Sequence, residues 1–293
     1  VSPGVTSEDY TPDVVVAAPI GTLVELMDIP ILQDSDNDAG FYVAAKGDAT
    51  NFPGAAIFNS ADNVEYTRKA TVLESAVFGT CTTTLGDWTG PRMFDEANSV
   101  TVDVGDGTLA SSTRDSVLNS LAINAMLIGS EMIQFVTATL SSPGVYVLTR
   151  LLRGGRGTEW AMTGHAAAER CVLLRGAGLR RVSMENSELG ISKYYKGVTL
   201  GRPVSSATAE SFTDNAIGLK PFSPFDLRAT RSASGTVFTM QRRTRLAVRM
   251  IGTLGISVPV GEDSESYTLE IYDDAAYTTL VHTLTATELS FTY

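Results

Sequence analysis

The stretch NAMLIGSEMIQFVTATLSSPGVYVLTRLL, Asn124 to Leu152, holds three runs of apolar and β-branched residues cut by two turn signals. Gly129-Ser130 is a two-residue break that suits a type II′ hairpin turn, whose first central residue takes a positive φ that glycine adopts freely. Ser141 to Gly144, SSPG, reads as a second, longer hairpin loop. Three strands joined this closely form an antiparallel meander. A meander at the centre of the chain sets the expectation of an all-β protein.

The flanking sequence repeats the pattern. GTLVELMDIPIL (Gly21 to Leu32), GFYVAAKG (Gly40 to Gly47), GAAIFNS (Gly54 to Ser60) and SVTVDV (Ser99 to Val104) are short apolar or β-branched runs separated by Gly, Pro, Asn and Asp. The best helix candidate is STRDSVLNSLA, Ser112 to Ala122. Ser112 or Thr113 would cap it, and Val117, Leu118 and Leu121 would share a face over two or three turns. Toward the end, ESYTLEIYD alternates Tyr267, Leu269 and Ile271 with polar neighbours, and that period of two predicts a half-buried strand. The expected organisation is tandem β-sandwich or β-barrel modules. Residues 1–20 read as a linker from an upstream domain, 21–104 as one β module and 105–200 as a second. Residues 201–219 read as a connection, and 220–293 as part of a β-sandwich.

Composition narrows the function. The 293 residues allow two or three domains, and 43% hydrophobic residues suffice for a buried core. The formal net charge of -11 argues against general nucleic-acid binding, which needs a cationic surplus to neutralise phosphates. No apolar run reaches membrane-spanning length. The two cysteines, Cys81 and Cys171, show no metal-binding spacing, and nothing indicates a disulfide. His165 and His282 each stand alone in the sequence, which suits surface or packing roles better than catalysis.

Several clusters invite a chemical reading. LTRLLRGGRGTEWAMTGH, Leu148 to His165, concentrates Arg150, Arg153 and Arg156 on a glycine-rich turn. It lacks the Gly-Lys-Ser/Thr ending of a phosphate loop, and a single RGG-like triplet is weak evidence for RNA. Pairing of Arg153 and Arg156 with protein carboxylates or carbonyls is the expectation. LQDSDNDAGF places Asp34, Asp36 and Asp38 at alternate positions, like the start of a calcium loop. Ala39 and Ala45 stand where an EF-hand needs Gly and Glu, so that motif is excluded. A different cation site stays open beside a solvated acidic turn. Asp95/Glu96 and Glu262/Asp263 fall in polar loops, and MQRRTR (Met240 to Arg245) reads as a strand with Arg243 and Arg245 on a solvated or interface face. No Gly-x-Ser-x-Gly elbow or other catalytic constellation emerges. No catalytic, cofactor-binding or metal-binding residue is therefore assigned, and the chain is not expected to be an enzyme.

The segment Glu131 to Leu174 resembles the tail hub, or tail-tip host-specificity, proteins of long-tailed (siphovirus-like) phages and of alphaproteobacterial gene transfer agents. The resembling features are an E-x-I-Q-F strand (Glu131, Ile133-Gln134-Phe135), an Arg/Gly turn (Leu151 to Glu159) and an H-A-x-x-E-R stretch (His165 to Arg170). ELMDIPILQDSDNDAGFYVAA, FDEANSVTV, YYKGVTLGRPVSSA and LKPFSPFDLRATR extend the similarity over most of the chain. The resemblance implies a structural virion component at the tail tip, a hub or baseplate part that closes the tail tube and supports host-recognition parts. It implies further copies in a homotrimer, other tail-tip proteins, and a tail fibre or host receptor as partners. It makes the Arg/Gly turn architectural. It also implies that 220–293 is a fibronectin type III-like domain with five of seven strands, so that the natural polypeptide is expected to begin before Val1 and continue past Tyr293. A competing expectation is an extracellular carbohydrate-binding β-sandwich module, which would use an exposed tryptophan, Trp88 or Trp160, as a sugar platform.

Overall fold

A computed structural model describes residues 21–47, 52–90, 93–233, 235–246 and 258–293. The expected linker over 1–20 lies outside the described residues. The described residues begin with β1 (Thr22–Met27), β2 (Gly40–Gly47), β3 (Ala55–Ser60) and β4 (Thr67–Val72). There follow β5 (Phe78–Cys81), the short β6 (Phe94–Asp95), β7 (Val100–Asp103) and a six-residue helix, α1 (Arg114–Asn119). The central meander is β8 (Ala125–Ile128), β9 (Glu131–Ser142) and β10 (Val145–Leu152). Next come β11 (Arg170–Leu173), β12 (Leu179–Ser183), β13 (Lys193–Thr199) and β14 (Glu210–Phe212). The last strands are β15 (Phe225–Ser232), β16 (Gly235–Gln241), β17 (Tyr267–Tyr272), β18 (Leu280–Ala286) and β19 (Ser290–Thr292). The protein is all-β, as its sequence predicts. No described helix is long and apolar enough to cross a membrane.

The meander supplies three strands of a closed barrel. Strands run β10-β7-β5-β11-β8-β9, and β9 pairs back to β10, which leaves no open edge in the ring. Gly129 (φ 56°) makes the two-residue turn between β8 and β9, with Ile128 opposite Glu131. The second connection is tighter than expected. β9 continues through Ser142, and Pro143-Gly144 alone turn the chain, with Gly144 at φ 75°. Proline pre-sets the first turn dihedral and glycine supplies the positive second one, so the two serines remain in the strand.

Packing explains why some strands read as unbroken apolar runs. Sheet β1-β2-β12 lies between the barrel and a second sheet, β14-β13-β3-β4. On β2, Tyr42 and Ala44 face the barrel cluster with Phe78, Leu127 and Val172, while Phe41, Val43 and Ala45 pack on Ile57, Val72 and Tyr195. A strand covered on both faces has no polar side to show. The barrel interior is filled by Val100, Val102, Met126, Ile128, Ile133, Phe135, Leu148 and their neighbours.

Three expectations about organisation meet a different topology. The position 104/105 falls inside the barrel, because β5 and β7 pair with β11 and β10 from beyond it. The flanking sheets are likewise completed late, by β12, β13 and β14. Residues 201–219 contain β14, and Asp28 accepts hydrogen bonds from the backbone of Asn215 and Ile217, so this stretch is fastened to the first strand's end. The helix is shorter than the spacing suggests. Thr113 caps it by accepting from Ser116 N, and Val117 is buried, but Leu118 is 59% exposed. Consecutive helical residues lie about 100° apart, so over one and a half turns a single apolar position faces the core. The C-terminal residues form two small sheets, β15-β16-β19 and β17-β18, and Tyr267, Leu269 and Ile271 are half-buried as their alternation predicts.

Candidate functional site

The Arg/Gly turn follows β10 directly and is built on positive backbone dihedrals. Gly154 sits at φ 62°, Arg156 at 52° and Gly157 at 83°. Side chains could not replace these glycines without collision, since a Cβ at Gly157 would lie 2.5 Å from Cδ1 of Phe222. Upstream, within β10, Arg150 takes φ 58° at the point where the strand's outer partner changes from β7 to β6. Arg150 and Arg114 both approach the exposed Glu96, at 3.7 and 2.6 Å.

Arg153 is fully buried. Its Nε donates to both oxygens of Glu131 at 2.8 and 3.0 Å, and Nη2 donates to Glu131 Oε2 at 2.8 Å. Nη1 reaches Asp95 Oδ2 and the carbonyl of Gly86, each at 3.0 Å, and Nη2 also reaches the carbonyl of Met162 at 3.1 Å. Asp95 in turn accepts from Ala97 N, Asn98 N and the Asn98 amide. Gly154 N donates to Glu131 Oε1 at 2.7 Å. His165 completes the cluster, with Nε2 at 2.9 Å from Glu131 and Nδ1 at 2.7 Å from Glu169. Arg156 is buried by a different route, donating to the carbonyls of Ile31 and Leu32 at 2.7 and 2.6 Å. Arg153 and Arg156 thus pair with protein carboxylates and carbonyls.

The structure places Asp95, expected on a solvated loop, in the interior, and gives His165 the packing role of its two expected alternatives. Asp95 is 0% exposed, because β6 pairs with the end of β10 and carries it beneath Arg153. His165 has a side chain only 3% exposed and is not isolated in space. The basic run also differs from a solvated strand face. β16 ends at Gln241, and the arginines beyond it are paired: Arg242 with Glu265, Arg243 with Glu159, and Arg245 with Glu262 and Asn37. Arg243 and Arg245 thereby join the C-terminal strands to the Arg/Gly turn and to the β1–β2 connection.

The other candidates resolve separately. Asp36 is buried and accepts from the Tyr42 hydroxyl, Gln33 and Ser35, and burial pushes the Tyr42 hydroxyl's proton affinity up. Asp38 pairs with Arg181 at 3.0 Å. Among the described residues no three or more His, Cys, Asp or Glu side chains converge as a metal site. Cys81 and Cys171 are both buried in the barrel with free thiols. Trp88 is partly covered, whereas Trp160 is 65% exposed and borders a cavity of about 430 Å³ with Pro30, Pro221, Phe222 and Lys220.

These features define an all-β protein with a closed barrel and a buried arginine–carboxylate junction at the barrel's end. Residues 76–172, which contain nearly all of the barrel, match the protein family described as Rcc01698-like, C-terminal. No curated protein matches the chain.

Proposed function

We propose that this chain is a structural component of a phage or phage-like tail tip. In this reading it is a hub or baseplate part that closes the tail tube, works beside further copies of itself and other tail proteins, and supports the parts that meet the host. The observation that carries the reading is the convergence of the positions at which the sequence resembles tail hubs. Glu131, Arg153, His165 and Glu169 come from three separate stretches of sequence and meet in one cluster, buried except at Glu169, that fixes the barrel's end. A rigid, cross-braced barrel suits a load-bearing ring subunit. The test is immunogold labelling of intact particles from the source cells. Label at the tail tip supports the proposal, and label confined to particle-free fractions refutes it. Sedimentation of the purified chain as a trimer would support the ring arrangement.

One observation favours a second reading, carbohydrate binding. Trp160 presents an open indole face beside Phe222, Pro30 and Pro221, a surface on which a sugar ring could stack. A glycan array separates the readings: saccharide binding lost in Trp160→Ala supports the second, and an empty array removes it.

A further inference from the structure

His165 lies between two carboxylates, with Nε2 2.9 Å from Glu131 Oε2 and Nδ1 2.7 Å from Glu169 Oε2. A neutral imidazole has one N–H and one lone pair, whereas an ionised carboxylate only accepts. A neutral ring here would set lone pair against lone pair on one side. Two N–H donors satisfy both contacts, and only the imidazolium has two. Glu131 is already engaged by Arg153 on Oε1 and Oε2, and by Gly154 N on Oε1, so it remains an acceptor toward the ring.

We propose that His165 is held as an imidazolium at neutral pH and that its second proton is a structural ligand of the barrel. The proton ties Glu131 at the start of β9 to Glu169, the residue before β11. Raising the pH removes that tie and loosens the stretch from the Arg/Gly turn to Glu169, which includes Trp160. The charged groups around the ring fit this role. Glu131 faces it from β9 and Glu169 from the approach to β11. Arg153, after β10, shares Glu131 and links it to Asp95 on β6. Cys81 on β5 lies within reach of the ring's charge. With the proton present, two cations face three carboxylates; without it, one guanidinium faces all three.

Burial alone would weaken the ring's hold on its proton, but the hydrogen bonds and charges of Glu131 and Glu169 outweigh it, and the balance lies above the ordinary 6.5. A proton held more tightly by the folded chain than by the unfolded one stabilises fully below the unfolded value. That stabilisation is lost as pH rises through the folded value. Each unit of separation is a tenfold change in the folding constant.

The experiment is a pH titration of the imidazole nitrogens by NMR on the whole chain, with urea unfolding at pH 6 and pH 9. The chain has two histidines, so His165→Gln assigns the signals. The expected result is a doubly protonated His165 ring at pH 7, and a urea midpoint lower at pH 9 than at pH 6. Glu169→Gln serves as the second variant, because Glu169 is partly exposed and Gln can donate to a neutral ring. In it the His165 titration should move to lower pH and the pH 6–9 difference in midpoint should shrink. A neutral His165 tautomer at pH 7 in the wild type, or the same titration and pH dependence in Glu169→Gln, overturns the proposal.

Discussion

Replacing Arg153 with Met keeps much of the side chain's length and removes its charge. Six donor contacts run from this guanidinium to Glu131 (both oxygens), Asp95, Gly86 and Met162. The side chains of Arg153, Asp95 and Glu131 are all 0% exposed, so water does not replace what is lost. Each charge-assisted hydrogen bond contributes about 1.5–3 kcal/mol, but bonds to one group are not additive. The better guide is that removing one partner of a buried ion pair costs about 3–5 kcal/mol, because the other charge stays buried. Asp95 and Glu131 would be left with backbone donors, the Asn98 amide and His165. The expected loss is therefore about 3–5 kcal/mol of a domain stability of about 5–15 kcal/mol. Urea unfolding followed by tryptophan fluorescence measures it. Glu131→Gln in the same background isolates the pair: once Glu131 carries no charge, removing Arg153 should cost less than it does in the wild type. A loss below about 1 kcal/mol for Arg153→Met, with an unchanged denaturant slope, would show that the cluster is not under load and would refute the reasoning.

Asp28 and Asp214 approach each other, and Asp214 Oδ2 is buried with no partner. Burial raises the Asp28 carboxyl above its ordinary range, opposed by donors from Asn215 and Ile217 and reinforced by Asp214, so ionisation of Asp28 weakens the fold as pH rises through that raised value. Asp214→Asn puts a donor where the unpaired oxygen sits and should raise stability at pH 7 by about 1 kcal/mol, a gain that fades toward pH 4 in urea titrations. Gly144→Ala should cost more than about 1 kcal/mol, since φ is 75° and the new Cβ would lie 2.2 Å from the carbonyl of Gly105; thermal unfolding checks it. Arg243→Ala removes a partly exposed pair with Glu159 and should change global stability by less than about 1 kcal/mol, yet speed proteolysis of the C-terminal strands relative to the barrel in a timed digest.

Much of the fold was legible because strand signals are local. The run GFYVAAKG became β2 with the same bounds, and ESYTLEIYD alternates as drawn. Pairing across distant sequence was not legible. Nothing in the spacing of SVTVDV says that it will lie beside β10 and complete a barrel, so a boundary drawn beside it at 104/105 has no counterpart in the sheets. The site shows the same limit. The arginines were conspicuous as an RGGR cluster, and their pairing with protein groups followed from an acidic chain. Their partners were not identifiable from pattern alone. Asp95 sits next to Glu96 in a polar stretch, yet one is fully buried and the other about half exposed. A two-residue strand decides the difference, and hydrophobic periodicity carries no signal over two residues. The available signal lay in the resemblance itself, where Glu131, Arg153, His165 and Glu169 occupy motif positions.

The choice of arginine at this junction follows from what a barrel end must satisfy. Strands pair their own backbone groups, but the loops that leave a barrel do not, and buried carbonyls without donors destabilise the fold. The carbonyls of Gly86 and Met162 lie in such loops and those of Ile31 and Leu32 in the β1–β2 connection beside them, and all four accept from Arg153 or Arg156. An apolar side chain could fill the same volume but would leave these oxygens unpaired. A lysine brings three donors from one atom and cannot reach carboxylate and carbonyl partners on opposite sides at once. The guanidinium's planar array of donors can. Its charge then needs burial partners, which explains why Asp95 and Glu131 are drawn inside, and Glu131 in turn sets the position of His165. The glycines belong to the same argument. Arg153 must enter the barrel end directly after β10, while Arg156, three residues later, must reach the carbonyls beyond β1. That reversal over so short a span requires the positive dihedrals found at Gly154, Arg156 and Gly157. The Arg/Gly turn of an acidic protein is thus accounted for by the backbone it caps.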